Sequence, residues 1–194
     1  MIGASQNGRI QQDDRPEDSP LDERVRGVEW FTPQKYIDAI YGVMGGIDLD
    51  PASCLEANKV VKAKKIFTKE ENGLVKSWAG RVFLNSPKGK ERSMFAKKLY
   101  ENFKSGYVSE SIILLPNTCT ENKWFKPLFD GVLCFVRGRI KFDSSDSYNE
   151  GSPSHGNIFI YFGQNKRRFA EVFSKFGNIM AGISTSESKR RGGN

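Results

Sequence analysis

The sequence predicts an α/β domain, a mostly parallel sheet flanked by helices. Three observations predict it. Short apolar runs such as SIILLP (111–116), GVLCFV (131–136) and NIFIYF (157–162) read as strands buried on both faces. Apolar residues at helical spacing recur between them. Polar, turn-forming residues follow several strands, where ligands of such sheets bind.

The elements follow in order. Pro33 sits at a first-turn position after Thr32, a residue able to cap a helix, and Tyr36, Ile37, Ile40 and Tyr41 then recur on one face. Ile47 to Asp50 reads as a short strand ending in acid, and a second helix is expected after Ser53. RVFLN (81–85) is a strand running into a Pro/Gly loop. Met94, Phe95, Leu99 and Phe103 mark an amphipathic helix whose other face carries Arg92, Lys97, Lys98 and Lys104. Trp124, Phe125, Leu128 and Phe129 give a further helical stripe, and a basic helix is expected from about Asn165. One domain, 27–183, is expected between a polar arm (1–26) and a basic tail (184–194) ending in Lys189, Arg190 and Arg191.

Composition removes several function classes. Of the 194 residues, 38% are hydrophobic and 27% charged, and no apolar run approaches the ~20 residues that cross a bilayer. A soluble, cytoplasmic protein without a membrane partner is expected. Cys54, Cys119 and Cys134 are widely spaced and accompany one histidine, His155, so a metal site is not expected and the cysteines read as reduced core residues. No phosphate loop, nucleophile elbow or H-E-x-x-H is present. The net charge is +7, yet thirteen Lys/Arg stand against four Glu between Lys59 and Lys104. That local surplus suits a surface facing a polyanion, and equally a solvated helix face.

Two segments can carry chemistry. In Asp48-Leu49-Asp50-Pro51, an acid at a strand end can accept hydrogen bonds from ribose hydroxyls or hold a cationic amino-acid end, although strand ends commonly carry acids that only form turns. Asn85-Ser86-Pro87-Lys88-Gly89 is a strand-to-loop turn, which taken alone could be no more than a turn. With EWFTP (29–33), ENGLVKSW (71–78), LLPNT (114–118) and GRIKF (138–142), these segments stand in an order that resembles the phage DNA N-6-adenine-methyltransferase family. The resemblance spans roughly residues 28–163.

It implies a Rossmann-like methyltransferase fold that uses S-adenosylmethionine and acts on double-stranded DNA, with the target base flipped out. Thr32, Pro33, Asp50 and Pro51 would line the cofactor pocket with Asp48 close by, and Asn72 stands where the family often has D-G-L. Asn85, Ser86 and Pro87 would be catalytic, matching the tetrad [DNS]-P-P-[YFW]. An exocyclic amine is a poor nucleophile because its lone pair is delocalised, and an Asn oxygen that accepts its hydrogens favours a more reactive, pyramidal nitrogen. Lys88, Lys90 and Arg92 would grip phosphates.

The tetrad departs from the pattern twice. Ser86 replaces a proline, which is expected to loosen the loop, and Lys88 replaces the aromatic that receives the flipped base. Phe83, Trp124, Phe125 and Tyr148 are candidates to supply the missing ring. An impaired family member that only binds DNA, and an enzyme acting on cytosine N4 or an RNA base, are the competing readings. Asp143 to Asn157 is the candidate loop for contact with DNA; target site and oligomeric state leave no signature in these residues.

Overall fold

The computed structural model describes residues 30–144 and 155–182; the arm, the tail and most of the 143–157 loop, Tyr148 included, lie outside them. In chain order the strands are β1 (Trp30–Phe31), β2 (Leu49–Asp50), β3 (Lys65–Ile66), β4 (Gly80–Asn85), β5 (Val108–Pro116), β6 (Val132–Val136), β7 (Asp143–Ser144), β8 (Asn157–Phe162) and β9 (Gly177–Ala181). The α-helices are α1 (Gln34–Met44), α2 (Leu55–Val61), α3 (Glu91–Lys104) and α4 (Lys166–Phe173).

Seven strands form one sheet in the order β3-β2-β4-β5-β8-β6-β9, and β1 pairs with β7 in a separate two-stranded ribbon. The helix-flanked α/β sheet is as the sequence predicts. Its parallel part runs from β3 through β5. From β5 through β9 every pairing is antiparallel. Alternation along β4 and β5 divides the core between two faces. Phe83, Ile112 and Leu114 pack on one side with Ile37 and Ile40 of α1 and Phe169 and Phe173 of α4. Val82, Leu84, Ile113 and Leu115 pack on the other with Phe95 and Leu99 of α3, Trp78 and Phe125.

Three details differ from expectation. Thr32 does not cap α1: Pro33 occupies the cap position, no side chain caps the helix, and the buried Thr32 Oγ1 has no partner among the described residues. The Trp124 stripe forms a 3₁₀ segment, Lys123–Asp130, because Pro127 lies inside it and has no N–H to give. Met94 is exposed on α3 rather than packed, while Phe95 and Leu99 carry the buried face.

The topology places one edge of the sheet apart from the rest. From β2 the chain passes through α2 to β3 on one side; from β4 it passes through α3 to β5 on the other. Because β2 and β4 are neighbours, the connections diverge there and open a crevice beyond the carboxyl ends of both strands. Asp50 ends β2 and Asn85 ends β4.

Candidate functional site

That crevice is a cavity of about 540 Å3, within the size range of small-molecule sites. Asp50, Pro51, Thr32 and Asn72 line it on the β2 side, and Asn85, Ser86, Pro87, Lys88 and Arg92 on the β4 side. Pro33 and the exposed Lys90 are not among its lining residues.

Asp50 is 2% exposed and accepts a hydrogen bond from the Ala52 N–H at 3.3 Å. Burial of its carboxylate pushes the pKa up to about 7, only partly opposed by the Ala52 amide and the Ser53 hydroxyl. Asp48 lies on the same short segment and is held the opposite way. Its carboxylate takes Arg81 Nε at 2.8 Å and Nη2 at 3.0 Å, the Arg81 amide at 3.0 Å and Lys64 Nζ at 2.8 Å. The Arg81 hydrogen bonds keep it ionised well below the usual carboxylate range. Asp48 is absent from the cavity wall, and its bonds to Arg81 tie the start of β2 to β4.

The N-G-L turn brings Asn72 to the cavity for a local reason. A side chain on Gly73 would run into the Pro51 carbonyl, so only glycine lets the turn lie against the Asp-Pro corner. Trp78 Nε1 donates to the Gly73 carbonyl at 2.8 Å and fixes the turn from below. Asn72 has φ of 52°, a left-handed conformation that Asn tolerates, and its Oδ1 accepts from the Leu74 amide at 3.1 Å.

Asn85 is oriented by an unexpected partner. Its Nδ2 donates to the Trp30 carbonyl at 3.2 Å. A backbone carbonyl can only accept, so this bond fixes which arm of the amide is nitrogen and leaves Oδ1, an acceptor, on the other arm. Ser86, expected to loosen the loop, makes one bond to the neighbouring strand. Its N–H donates to the Leu114 carbonyl at 3.4 Å, a bond proline could not make, and this extends the β4–β5 ladder past the last paired residue. Lys88 Nζ lies 5.6 Å from the centre of the Trp30 ring.

Several lining atoms await partners. Thr32 Oγ1, Ser86 Oγ, Arg92 Nε and Asn157 Oδ1 are buried and without hydrogen bonds among the described residues, and all four residues line the cavity. Orphaned polar atoms converging on one cavity signal a polar ligand. With a buried acid ready to accept from ribose hydroxyls, they fit a nucleoside-bearing methyl donor such as S-adenosylmethionine.

The sequence placed Asn157 at the end of the candidate DNA-contact loop but not on this cavity, because β8 runs antiparallel. Its amino end, opposite Pro116, therefore lies at the edge where the parallel strands have their carboxyl ends. It also missed Trp30, Phe31 and Phe142 as lining residues, although EWFTP contained the first two. Of the rings proposed instead, Phe83 reaches the cavity but is fully buried, Phe125 is core and Trp124 packs against it. The basic stretch is likewise not one free surface: Arg81 and Lys64 hold Asp48, and Lys98 Nζ donates to the Leu74 carbonyl at 2.5 Å and the Lys76 carbonyl at 2.7 Å.

Among the described residues no helix is long and apolar enough to cross a membrane, and no cluster of His, Cys, Asp and Glu could hold a metal ion. No curated protein matches the chain. The family of DNA N-6-adenine-methyltransferases (Dam) does, over residues 19–186. That span contains every strand of the sheet and both sides of the Asp50–Asn85 crevice, and the chain belongs to that methyltransferase family.

Proposed function

We propose that the chain transfers a methyl group from S-adenosylmethionine to N6 of adenine in DNA. The observation that carries the reading is the meeting of Asp50 and Asn85, from the carboxyl ends of neighbouring strands, on one cavity. The methyl donor supplies an electrophilic carbon on a sulfonium. Asp50 would accept from its ribose hydroxyls, with Thr32, Pro51 and Asn72 around it. Asn85 Oδ1, turned by the Trp30 carbonyl, would accept a hydrogen of the target amine and raise the availability of the nitrogen lone pair. The Ser86 amide bond keeps this loop in place, and Pro87 shapes the wall. Lys88 and Arg92 at the cavity, with Lys90 beside them, would attract phosphates of a duplex whose base has been extruded.

Incubation with tritiated S-adenosylmethionine and unmethylated DNA or RNA, followed by digestion to nucleosides and mass spectrometry, with DNA binding measured in parallel, tests this. N6-methyladenine is expected as the product. Methyl on cytosine N4, methyl only on RNA, or no transfer with retained DNA binding would each replace the reading by a named alternative.

A further inference from the structure

The N-S-P-K loop lacks the aromatic residue on which an extruded base would rest, and Lys88 stands in its place. The cavity does not lack a ring. Trp30 lines it, half-buried, and is bound to the loop twice: its carbonyl takes Asn85 Nδ2 at 3.2 Å, and its ring lies 5.6 Å from Lys88 Nζ. Other aromatic walls are less suited. Phe83 and Phe95 are buried in the core, and Phe142 packs against it. Phe31 lines the cavity too, but the ring contact to Lys88 of the loop belongs to Trp30. The backbone of Trp30 is also held in register by pairing with Ser144 across the β1–β7 ribbon, so the indole has a fixed support.

We infer that Trp30 is the platform for the extruded adenine, replacing the missing aromatic of the N-S-P-K loop, and that Lys88 positions the indole through its ammonium. This rests on the methyltransferase reading above. Because the Trp30 main chain is hydrogen-bonded to the Asn85 side chain, a purine stacked on the indole would lie beside the N-S-P-K loop with its amine toward Asn85 Oδ1. Lys88 is then a positioning residue.

The test uses the full chain with S-adenosylhomocysteine present and two probes, single-stranded oligodeoxyadenylate and an abasic strand of equal length. The emission of Trp30 is the difference between wild type and Trp30→Phe. Oligodeoxyadenylate should quench that emission and the abasic strand should not. Trp30→Ala should weaken binding of oligodeoxyadenylate roughly 5- to 150-fold while leaving the abasic strand and S-adenosylhomocysteine unaffected. Trp30→Phe should restore most of the loss.

Absence of quenching, an equal loss for both strands, or a parallel loss of S-adenosylhomocysteine binding would overturn the assignment. Failure of the wild type to methylate DNA would remove the enzymatic reading, and the quench would still decide the platform.

Discussion

The two halves of the sheet are built for different ends. On the antiparallel side, all six residues of β8 are buried, and Tyr161, Phe169 and Phe173 stack in a row with centroid separations of 5.2 and 4.4 Å. On the parallel side, β2 and β3 are two residues each, and the edge beyond β2 and β4 carries a buried acid and orphaned polar atoms. The first half concentrates apolar burial around the stacked rings; desolvated polar atoms gather at the cavity, to which the antiparallel half adds only Asn157 at the start of β8. Apolar packing and the polar cavity are thus centred on different parts of one sheet, with β5 as the shared strand.

The largest effect is expected where the stack is broken. Phe169→Ala should cost about 3–5 kcal/mol of folding stability, read by denaturant unfolding, because the ring is fully buried between two others. Asn85→Ala should cost little stability and instead lower methyl transfer by about 10²–10³, with S-adenosylhomocysteine binding retained in calorimetry. Were the two variants to exchange phenotypes, the division of labour would be wrong.

Asp50 sharpens the comparison through pH. With its pKa raised to about 7, the native state holds a proton that the unfolded state has released above the ordinary carboxylate value. Its contribution to stability is fully present below that ordinary value and is lost as pH rises through about 7. Melting curves should show Asp50→Asn to be more stable than wild type at pH 8, by roughly 2 kcal/mol or more, and flatter with pH. A ligand that donates to the carboxylate favours its ionised form. Binding of S-adenosylhomocysteine near neutral pH should therefore release protons, seen as a dependence of the calorimetric heat on buffer ionisation. A smaller effect concerns the loop: Ser86→Pro restores the family residue but removes the amide bond to Leu114, and should lower stability by about 1 kcal/mol.

Much of this was legible in the sequence, for reasons that differ by element. Continuous apolar runs identify β5, β6 and β8 because both faces of each are covered. Direction, however, leaves no trace in such runs. NIFIYF reads the same whether β8 runs with β5 or against it, so Asn157 could not be assigned to the functional edge. The two-residue strands β1, β3 and β7 are too short for any alternation, and they depend on tertiary pairing. At the site, Asp50 and Asn85 were singled out by the ordered resemblance of their segments to the family, since each segment alone reads equally as an ordinary strand-end turn. Asp48 and Asp50 could not be told apart by residue type. Arg81, thirty-odd positions away, engages Asp48, while Asp50 faces the cavity.

A crystal structure of the full chain with S-adenosylhomocysteine tests the central claim most directly. The ribose hydroxyls should donate to Asp50, and the sulfur should face Asn85 Oδ1 across a space open to Trp30. A ligand bound with its ribose away from Asp50, or with Asn85 turned so that its oxygen faces the protein interior, would contradict the account.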